Sequence, residues 1–403
     1  MAQKYDPFTP AMLVDPYPLY DEMRRDAPVY LDEARGRWFL TRYADVDASL
    51  RDPRWVAGSE RLSNFLKLRT PEMQQEIQPL FHAFSRQMLV ADPPDHTRLR
   101  GLVSKAFTPR IVERLRPRVE RIVTDLLDRV EPAGQFDVIR DFAYPLPAIV
   151  IAELLGVPPE EREQFKAWAV DFAGFLGNVH AVPEIDRRAQ QSVEAGGRYF
   201  ASLAARLRDQ PRDDLLSAMV LAEEQGDKLS VEELLANAFL LLAAGHETTT
   251  NLIGNGLLAL LRHPDQLQRL RDDPSLIGSA VEEFLRYEGP VKYLARAAYD
   301  DLTIGDQRIR KGQTVVFSLA AADRDPEQFP DPARLDVGRR PNRHLAFGHG
   351  IHFCLGAPLA RLEGQIAFDL ILRRFPDLHL ATDVVEWQPN HIFRALKALP
   401  VTW

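Results

Sequence analysis

Residues 344–375 read HLAFGHGIHFCLGAPLARLEGQIAFDLILRRF, and the reading of the whole chain turns on this stretch. Its first half is a loop in which Gly348, Gly350 and Gly356 surround Cys354, the one cysteine of the chain. Pro358 then stands where a helix can begin, since its missing N–H would have no helical partner there anyway. From about Ala357 to Phe375 the sequence carries a strong apolar helical face. A cysteine just before such a helix lies beside free backbone N–H groups and the positive end of the helix dipole. Both favour the thiolate, the form that binds metal. The glycines let the loop backbone approach a flat ligand without Cβ clashes. Three readings stay open at this point. A lone cysteine is most often a small buried hydrophobe. A nucleophilic cysteine needs a positioned base, which His349 or His352 is close enough in sequence to supply. The third reading is a metal ligand, although one cysteine with scattered histidines lacks zinc-ligand spacing.

Upstream, Ser230 and Glu233 form an S-x-x-E capping box at the start of the longest helical stretch. It runs to about Arg262, where His263 precedes Pro264 and the helix should stop. About 32 residues at 1.5 Å each span roughly 48 Å. Its middle, from Phe239 to Gly245, is apolar all round, as in a buried helix. Into it are set Gly245, His246, Glu247, Thr248, Thr249 and Thr250. Glycine costs a helix interior about 1 kcal/mol relative to alanine, and threonines are weak helix formers. A threonine hydroxyl can also bond a carbonyl one turn back and loosen the ladder. The run is either a tolerated defect at a close helix contact or a widened polar notch facing a reaction site.

Further helices are predicted over 110–130, 145–155, 161–176, 188–208, 267–287 and 357–374, with many of the 30 prolines marking boundaries. Strand-like pieces are short: Trp38–Thr41, Asp301–Ile304 with Gln307–Ile309, Gln313–Ser318, and the tail around Ile392–Val401. A mainly α protein with a small β portion, α+β in class, is expected as one domain over 1–403. The β-rich parts are placed near 1–60, 290–340 and 376–403. A net charge of −8 argues against wholesale nucleic-acid binding. One cysteine excludes an intramolecular disulfide. The N-terminus lacks a charged start followed by an apolar run. The most apolar stretch, Leu234 to Gly245, is interrupted by Asn237 and falls short of the roughly 20 residues a membrane span needs. A cytoplasmic, membrane-free protein is the expectation.

The string FGHGIHFCLG, Phe347 to Gly356, fills every fixed position of F-G-x-G-x-H-x-C-x-G and resembles the haem-binding loop of the cytochrome P450 family. Ala244 to Thr249 resembles the family's oxygen-activation motif, with its acid–threonine pair at Glu247 and Thr248. Glu283 and Arg286 match its E-x-x-R pair, and share a helix face. His96 and Arg100 in DHTRLR resemble the helix that holds a haem propionate, Arg296 resembles a second propionate arginine, and His352 adds a further donor. Asp323–Pro326 and Phe329–Pro332 resemble the family's meander. These motifs run collinearly over residues 90–365.

The resemblance implies a triangular helical domain around haem b (iron protoporphyrin IX), with Cys354 as axial iron ligand. Phe347, Gly348 and Gly356 belong to the ligand loop, the Leu355 and Gly356 N–H groups point at the sulfur, and Ala244 lies against the cofactor. Glu247 relays protons to dioxygen and Thr248 orients them. Such an enzyme is a monooxygenase that hydroxylates or epoxidises an apolar small molecule. Its electrons come from NAD(P)H through a separate ferredoxin-type or flavodoxin-type donor and its reductase, and no fused reductase domain is expected. Phe84, Met88, Phe172, Ala243, Ala244, Thr248, Lys292 and Ile392 are the expected substrate-pocket residues. Lys292 either meets an acid group there or faces solvent as lysines ordinarily do. Arg98, Arg100, Lys105, Arg110, Arg114, Arg116, Arg118 and Arg121 form either a plain solvated face or a patch steering an acidic electron donor. A peroxide-driven peroxygenase and a haem sensor or carrier are the competing readings. Glu247 and Thr248 weigh against both.

Overall fold

Most of the apolar stripes in the sequence fold as helices in the computed structural model of the chain, which describes all residues except 1–3, 105–106, 179 and 225–226. In chain order, the helices used below are α1 Gln78–Ser85, α2 Asp95–Ser104, α3 Arg116–Val130 and α4 Arg162–Leu176. They continue with α5 Pro183–Asp209, α6 Val231–Leu261, α7 Ile277–Tyr287 and α8 Ala357–Arg374. Five strands, β1 Val29–Asp32, β2 Arg37–Leu40, β3 Trp55–Val56, β4 Tyr293–Ala298 and β5 Thr314–Ser318, form one sheet in the order β1-β2-β5-β4-β3. β5 runs parallel to β2 and antiparallel to β4, with Val316 opposite both Phe39 and Ala295. A hairpin pairs Leu302–Ile304 with Gln307–Ile309. Near the C-terminus, His379–Leu380, Pro400–Thr402 and Gln135–Asp137 make a small second sheet.

The chain groups into two compact units: Met1–Trp55, Pro117–Leu146 and Thr248–Trp403 in the first, Val56–Arg116 and Pro147–Glu247 in the second. Within the first, Trp38, Leu40, Val315, Phe317 and Leu345 form the core over the five-stranded sheet. The C-terminal half of α6 meets α7 and α8 at Gly256, where an added Cβ would lie 2.6 Å from Phe368 and 2.9 Å from Phe284. A side chain there would drive the helices apart. Within the second unit, α1, α4 and α6 are joined by an aromatic cluster. The rings of Phe84 and Phe172 lie 5.8 Å apart, and those of Phe172 and Phe239 5.4 Å apart.

Several boundaries differ from expectation, each for a local reason. The stripe over 110–130 divides into Pro109–Arg114 and α3, because Pro117 sits at the start of α3 and cannot continue the preceding turn. The stripe over 267–287 divides at Pro274 into Pro264–Asp272 and α7. β4, YLARAA, was not expected: its alanines have low strand propensity, and it is a strand because β5 pairs with it. The stretch 1–60 also holds the helices Tyr17–Asp26 and Tyr43–Arg51, so it is mixed rather than β-rich.

Glu283 and Arg286 are not a solvated pair. Both side chains are fully enclosed, with Arg286 Nε and Nη2 each donating to Glu283 at 2.8 Å. Arg286 also donates to the carbonyls of Asp323, Pro332 and Arg334. Glu283 accepts from Arg339, from the Asp336 N–H and from Asn342 Nδ2. Every strong donor and acceptor is therefore used, which a buried ion pair requires. Removing one partner strands the other charge, at about 3–5 kcal/mol. Arg286→Ala is therefore expected to lower the unfolding midpoint severely, whereas exchange of exposed Arg308 should leave it within about 0.5 kcal/mol. Equal midpoints for the two variants in denaturant melts would contradict the network's role.

Glu363 on α8 is 1% exposed, and its Oε2 has no hydrogen-bond partner among the described residues. Burial pushes its carboxyl up to about 8, so the folded protein holds it neutral. The unfolded chain loses that proton near pH 4.5. Stability contributed at low pH is thus lost as pH rises from about 4.5 to about 8, by on the order of 1.4 kcal/mol per unit at most. Glu363→Gln should remove this slope and raise the melting temperature near neutrality. Parallel pH–melting curves for the variant and parent would show that Glu363 does not titrate this way.

Candidate active site around the cysteine loop

The loop before α8 is shaped by backbone constraints that the sequence announces. Gly348 and Gly350 have φ of +68° and +70°, a region costly for residues with a Cβ. At Gly350 an added Cβ would also stand 2.4 Å from the Leu50 carbonyl oxygen. A turn of 3-10 helix, Gly350–His352, leads into Phe353, and the Cys354 N–H donates to the Phe347 carbonyl at 2.9 Å, closing the loop. Gly356 is the N-cap of α8, and its would-be Cβ lies 4.0 Å from Cys354 Sγ. The sulfur therefore lies at the N-terminal end of an 18-residue helix, where orphan N–H groups and the dipole favour negative charge. Cys354 is half-buried, not sealed in a core.

The loop is held from outside by residues the sequence did not single out. Arg361, one turn into α8, places its guanidinium 4.5 Å from the Phe347 ring centre. It also donates to Glu282 of α7 at 2.7 and 2.8 Å. Burial works against ionisation of Glu282, but Arg361 and His344 outweigh it and hold the carboxyl down at about 2. The one signal for Arg361 was its position seven residues after Cys354, about two helical turns. His349, a candidate base, is exposed and has Nδ1 2.6 Å from Asp47 Oδ1. That contact ties it to the 43–51 helix, which leaves His352 as the loop's other candidate base. His352 is half-buried in the loop.

Arg296 is buried in β4, with Nη1 donating to the Ala295 carbonyl at 2.8 Å. Along the same strand, Leu294 Cδ1 lies 3.7 Å from the would-be Cβ of Gly348, so this face of β4 borders the cysteine loop. Lys292 corrects the surface reading. It is 3% exposed, its N–H donates to the Ile392 carbonyl at 2.8 Å, and its Nζ donates to the Asn390 carbonyl at 3.2 Å. Ile392 is half-buried beside it.

Helix α6 begins with the predicted box: the Ser230 N–H donates to Glu233 at 2.9 Å and the Glu233 N–H to Ser230 Oγ at 3.2 Å. It stays α-helical through Thr250, so the threonine run does not widen the ladder as anticipated. The polar notch arises differently. Residues 238–243 are buried, as are His246 and 249–260, but Ala244 is exposed and Gly245, Glu247 and Thr248 are half-buried. One accessible patch thus interrupts a helix otherwise enclosed along its middle. Gly245 also serves packing, since an added Cβ would stand 3.3 Å from Ile151.

Of the expected pocket residues in the second unit, Phe84 and Phe172 lie in the aromatic cluster, and Ala243 and Met88 are buried. Asn237, read as a mere interruption of an apolar run, is fully buried and organises this region. It accepts the Met88 N–H at 2.9 Å and donates to the carbonyls of Arg86 and Glu233. His96 is buried on α2 and Arg100 follows one turn later, half-buried. The basic run from 98 to 121 is not a uniform stripe: Arg98 pairs with Glu233 and Arg116 with Glu113. Lys105 lies outside the described residues.

These features fit a haem. Among the described residues no group of three or more His, Cys, Asp or Glu side chains is gathered to hold a bare metal ion. A single thiol at a helix start instead suits a metal that brings its own equatorial ligands. The loop's glycine-opened backbone and the buried cation Arg296 suit a flat ligand with acidic edges.

Comparison with known proteins agrees along the whole chain. The cytochrome P450 family model matches residues 185–391. Cytochrome P450 107B1 of Saccharopolyspora erythraea is 45% identical over 400 residues, 98% of this chain and 96% of that protein. Vitamin D(3) 25-hydroxylase of Pseudonocardia autotrophica is 43% identical over 99% of this chain and 96% of its own. The crystal structure of P450BioI with hexadec-9Z-enoic acid-ligated acyl carrier protein superposes with a TM-score of 0.90 at 41% identity, covering 98% of this chain and 99% of that one. Membership at this level carries with it a haem, a small-molecule substrate and electrons from redox partners. With its cysteine loop, its buried E-x-x-R network and relatives matched from end to end, the chain belongs to the cytochrome P450 family of monooxygenases.

Proposed function

We propose that this enzyme hydroxylates or epoxidises an apolar small molecule. Its electrons come from NAD(P)H, passed by a ferredoxin-type or flavodoxin-type protein and its reductase. The observation that carries the reading is the chain's one thiol, held half-buried at the N-terminus of α8 by a glycine-opened loop. Haem b, when bound, supplies the iron at which dioxygen is activated. Everything else falls to side chains of the protein.

Cys354 binds the metal as thiolate, with the N–H groups of Leu355 and Gly356 tuning its donor strength. Arg296, His96, Arg100 and His352 neutralise the propionates, while Phe347 and Gly348 shape the loop against the ring. On α6, Ala244 is small enough to leave the cofactor face open. Glu247 holds a proton and passes it on, and the Thr248 hydroxyl fixes the direction of transfer. A carboxylate and a hydroxyl placed at the accessible patch of an otherwise enclosed helix support this division of roles. Phe84, Met88, Phe172 and Ala243 wall an apolar pocket, in keeping with one relative named for hydroxylating vitamin D(3) and another solved with an acyl carrier protein bearing hexadecenoic acid. No helix among the described residues is long and apolar enough to cross a membrane, which supports work in the cytoplasm.

Cys354→Ser is expected to abolish the thiolate-type absorbance of the reduced carbonyl complex, and its persistence would refute the ligand assignment. Thr248→Ala should retain that absorbance while product formed per NAD(P)H falls, by roughly tenfold or more, and hydrogen peroxide rises in step. Unchanged coupling, measured by product and peroxide assays with a surrogate ferredoxin and reductase, would remove Thr248 from proton delivery.

A further inference from the structure

A lysine ammonium has three donors and is strongly hydrated, so enclosing one without an acid partner is costly. Lys292 is enclosed in this way. At 3% exposure its Nζ meets one acceptor, the Asn390 carbonyl at 3.2 Å. Among the described residues Glu288 is the acid that favours its charged form. That carboxylate is already engaged by Arg394 at 2.7 Å and by the Tyr17 hydroxyl at 2.9 Å. Burial, reinforced by Arg394, pushes the Lys292 amine down to about 7. The amine is thus only partly protonated near neutrality, and its cation is poorly compensated by the protein itself.

Its position says where compensation comes from. Lys292 is extended backbone, pairing with Ile392 on one side and accepting from the Ala320 N–H on the other. The two-residue alternation of a strand therefore sets Lys292, the residue before β4, to the face of Leu294 and Arg296. Leu294 on that face borders Gly348 of the cysteine loop. Four residues at about 3.3 Å each separate Lys292 from Arg296 by roughly 13 Å. A backbone separation of that size gives Lys292 and Arg296 room to serve separate carboxylates.

We propose that Lys292 anchors a carboxylate at the polar end of an otherwise apolar substrate. The inference rests on the monooxygenase reading above and narrows its substrate class to long apolar acids. The carboxylate takes hydrogen bonds from Nζ, and the rest of the substrate is apolar. A charge-assisted bond of this kind, made where water is excluded, favours the acid over its uncharged ester by on the order of tenfold or more.

The test uses the haem-loaded enzyme and reads ligand-induced shifts of its haem spectrum. Tetradecanoic acid and its methyl ester are titrated into the parent, Lys292→Met and Lys292→Arg. The parent is expected to prefer the acid by about tenfold or more, Lys292→Met to lose that preference while binding the ester as before, and Lys292→Arg to regain part of it. Equal affinities for acid and ester in the parent would overturn the proposal, and so would an acid preference that survives in Lys292→Met. Should Lys292→Met fail to load haem, the parent's acid-to-ester ratio decides alone. Loss of the thiolate-type spectrum in the parent would instead strike the monooxygenase reading, so the two failures are distinguishable.

Discussion

The Glu283–Arg286 pair is the interaction on which the cysteine loop depends. Between β5 and α8 the chain runs from 323 to 356 almost without regular structure, so few backbone ladders hold it. Its carbonyls at Asp323, Pro332 and Arg334 are instead taken by one guanidinium, and its Asp336 N–H, Arg339 and Asn342 by one carboxylate. An ion pair of this depth contributes little net stability against an apolar substitute. Its value is positional. The planar fork of arginine fixes several acceptors at once, which a lysine's point charge cannot do. The segment so fixed ends at Leu345, whose N–H donates to Asp323 at 2.7 Å, two residues before the loop itself.

Helix α6 solves a related problem. A helix apolar on all sides must be enclosed, yet a reaction site needs access. The conflict is settled by residue size. Ala244 and Gly245 leave one patch open, while Gly256 lets Phe284 and Phe368 close against the other end. The same helix carries Asn237, which spends its amide on the 86–88 segment. One element thereby supplies an acid–hydroxyl pair, a packing surface and an anchor for a neighbouring loop.

How far the sequence could be read follows from the range of each signal. The capping box of α6, the start of α8 and the glycine-rich cysteine loop are local, and all were legible because the residues involved lie within a few positions of each other. The E-x-x-R spacing was legible, but its burial was not, since Arg339, Asn342 and the carbonyl acceptors lie some 40 to 60 residues downstream. β4 was missed because YLARAA becomes a strand through its partners rather than its propensity. The two readings of Lys292 could not be decided for a similar reason: a lysine carries no mark of enclosure, and its acceptors in the 390–394 segment are about a hundred residues away. Asn237 and Gly245 offered real signals, a polar residue and a helix breaker in an apolar run. Their meaning, anchoring in one case and close packing in the other, depended on Met88 and Ile151, which no periodicity reveals.

The neutral Glu363 completes the electrostatics of α8. The helix presents its positive end to Cys354, which favours a thiolate there. Glu363 lies six residues, about 9 Å, past the first residue of α8, and the turn from Cys354 makes its separation from the thiol on the order of 13 Å. Two unit negative charges at that separation, with an effective dielectric constant near 20, repel by about 1.2 kcal/mol. An ionised Glu363 would therefore oppose the charge that the helix start favours, by close to tenfold in population. Burial, with Oε2 lacking a hydrogen-bond partner among the described residues, keeps the carboxyl largely protonated at neutral pH and removes that opposition. The cost in stability of enclosing an acid in α8 thus goes together with a helix whose buried acid adds no negative charge to oppose one at the Cys354 thiol.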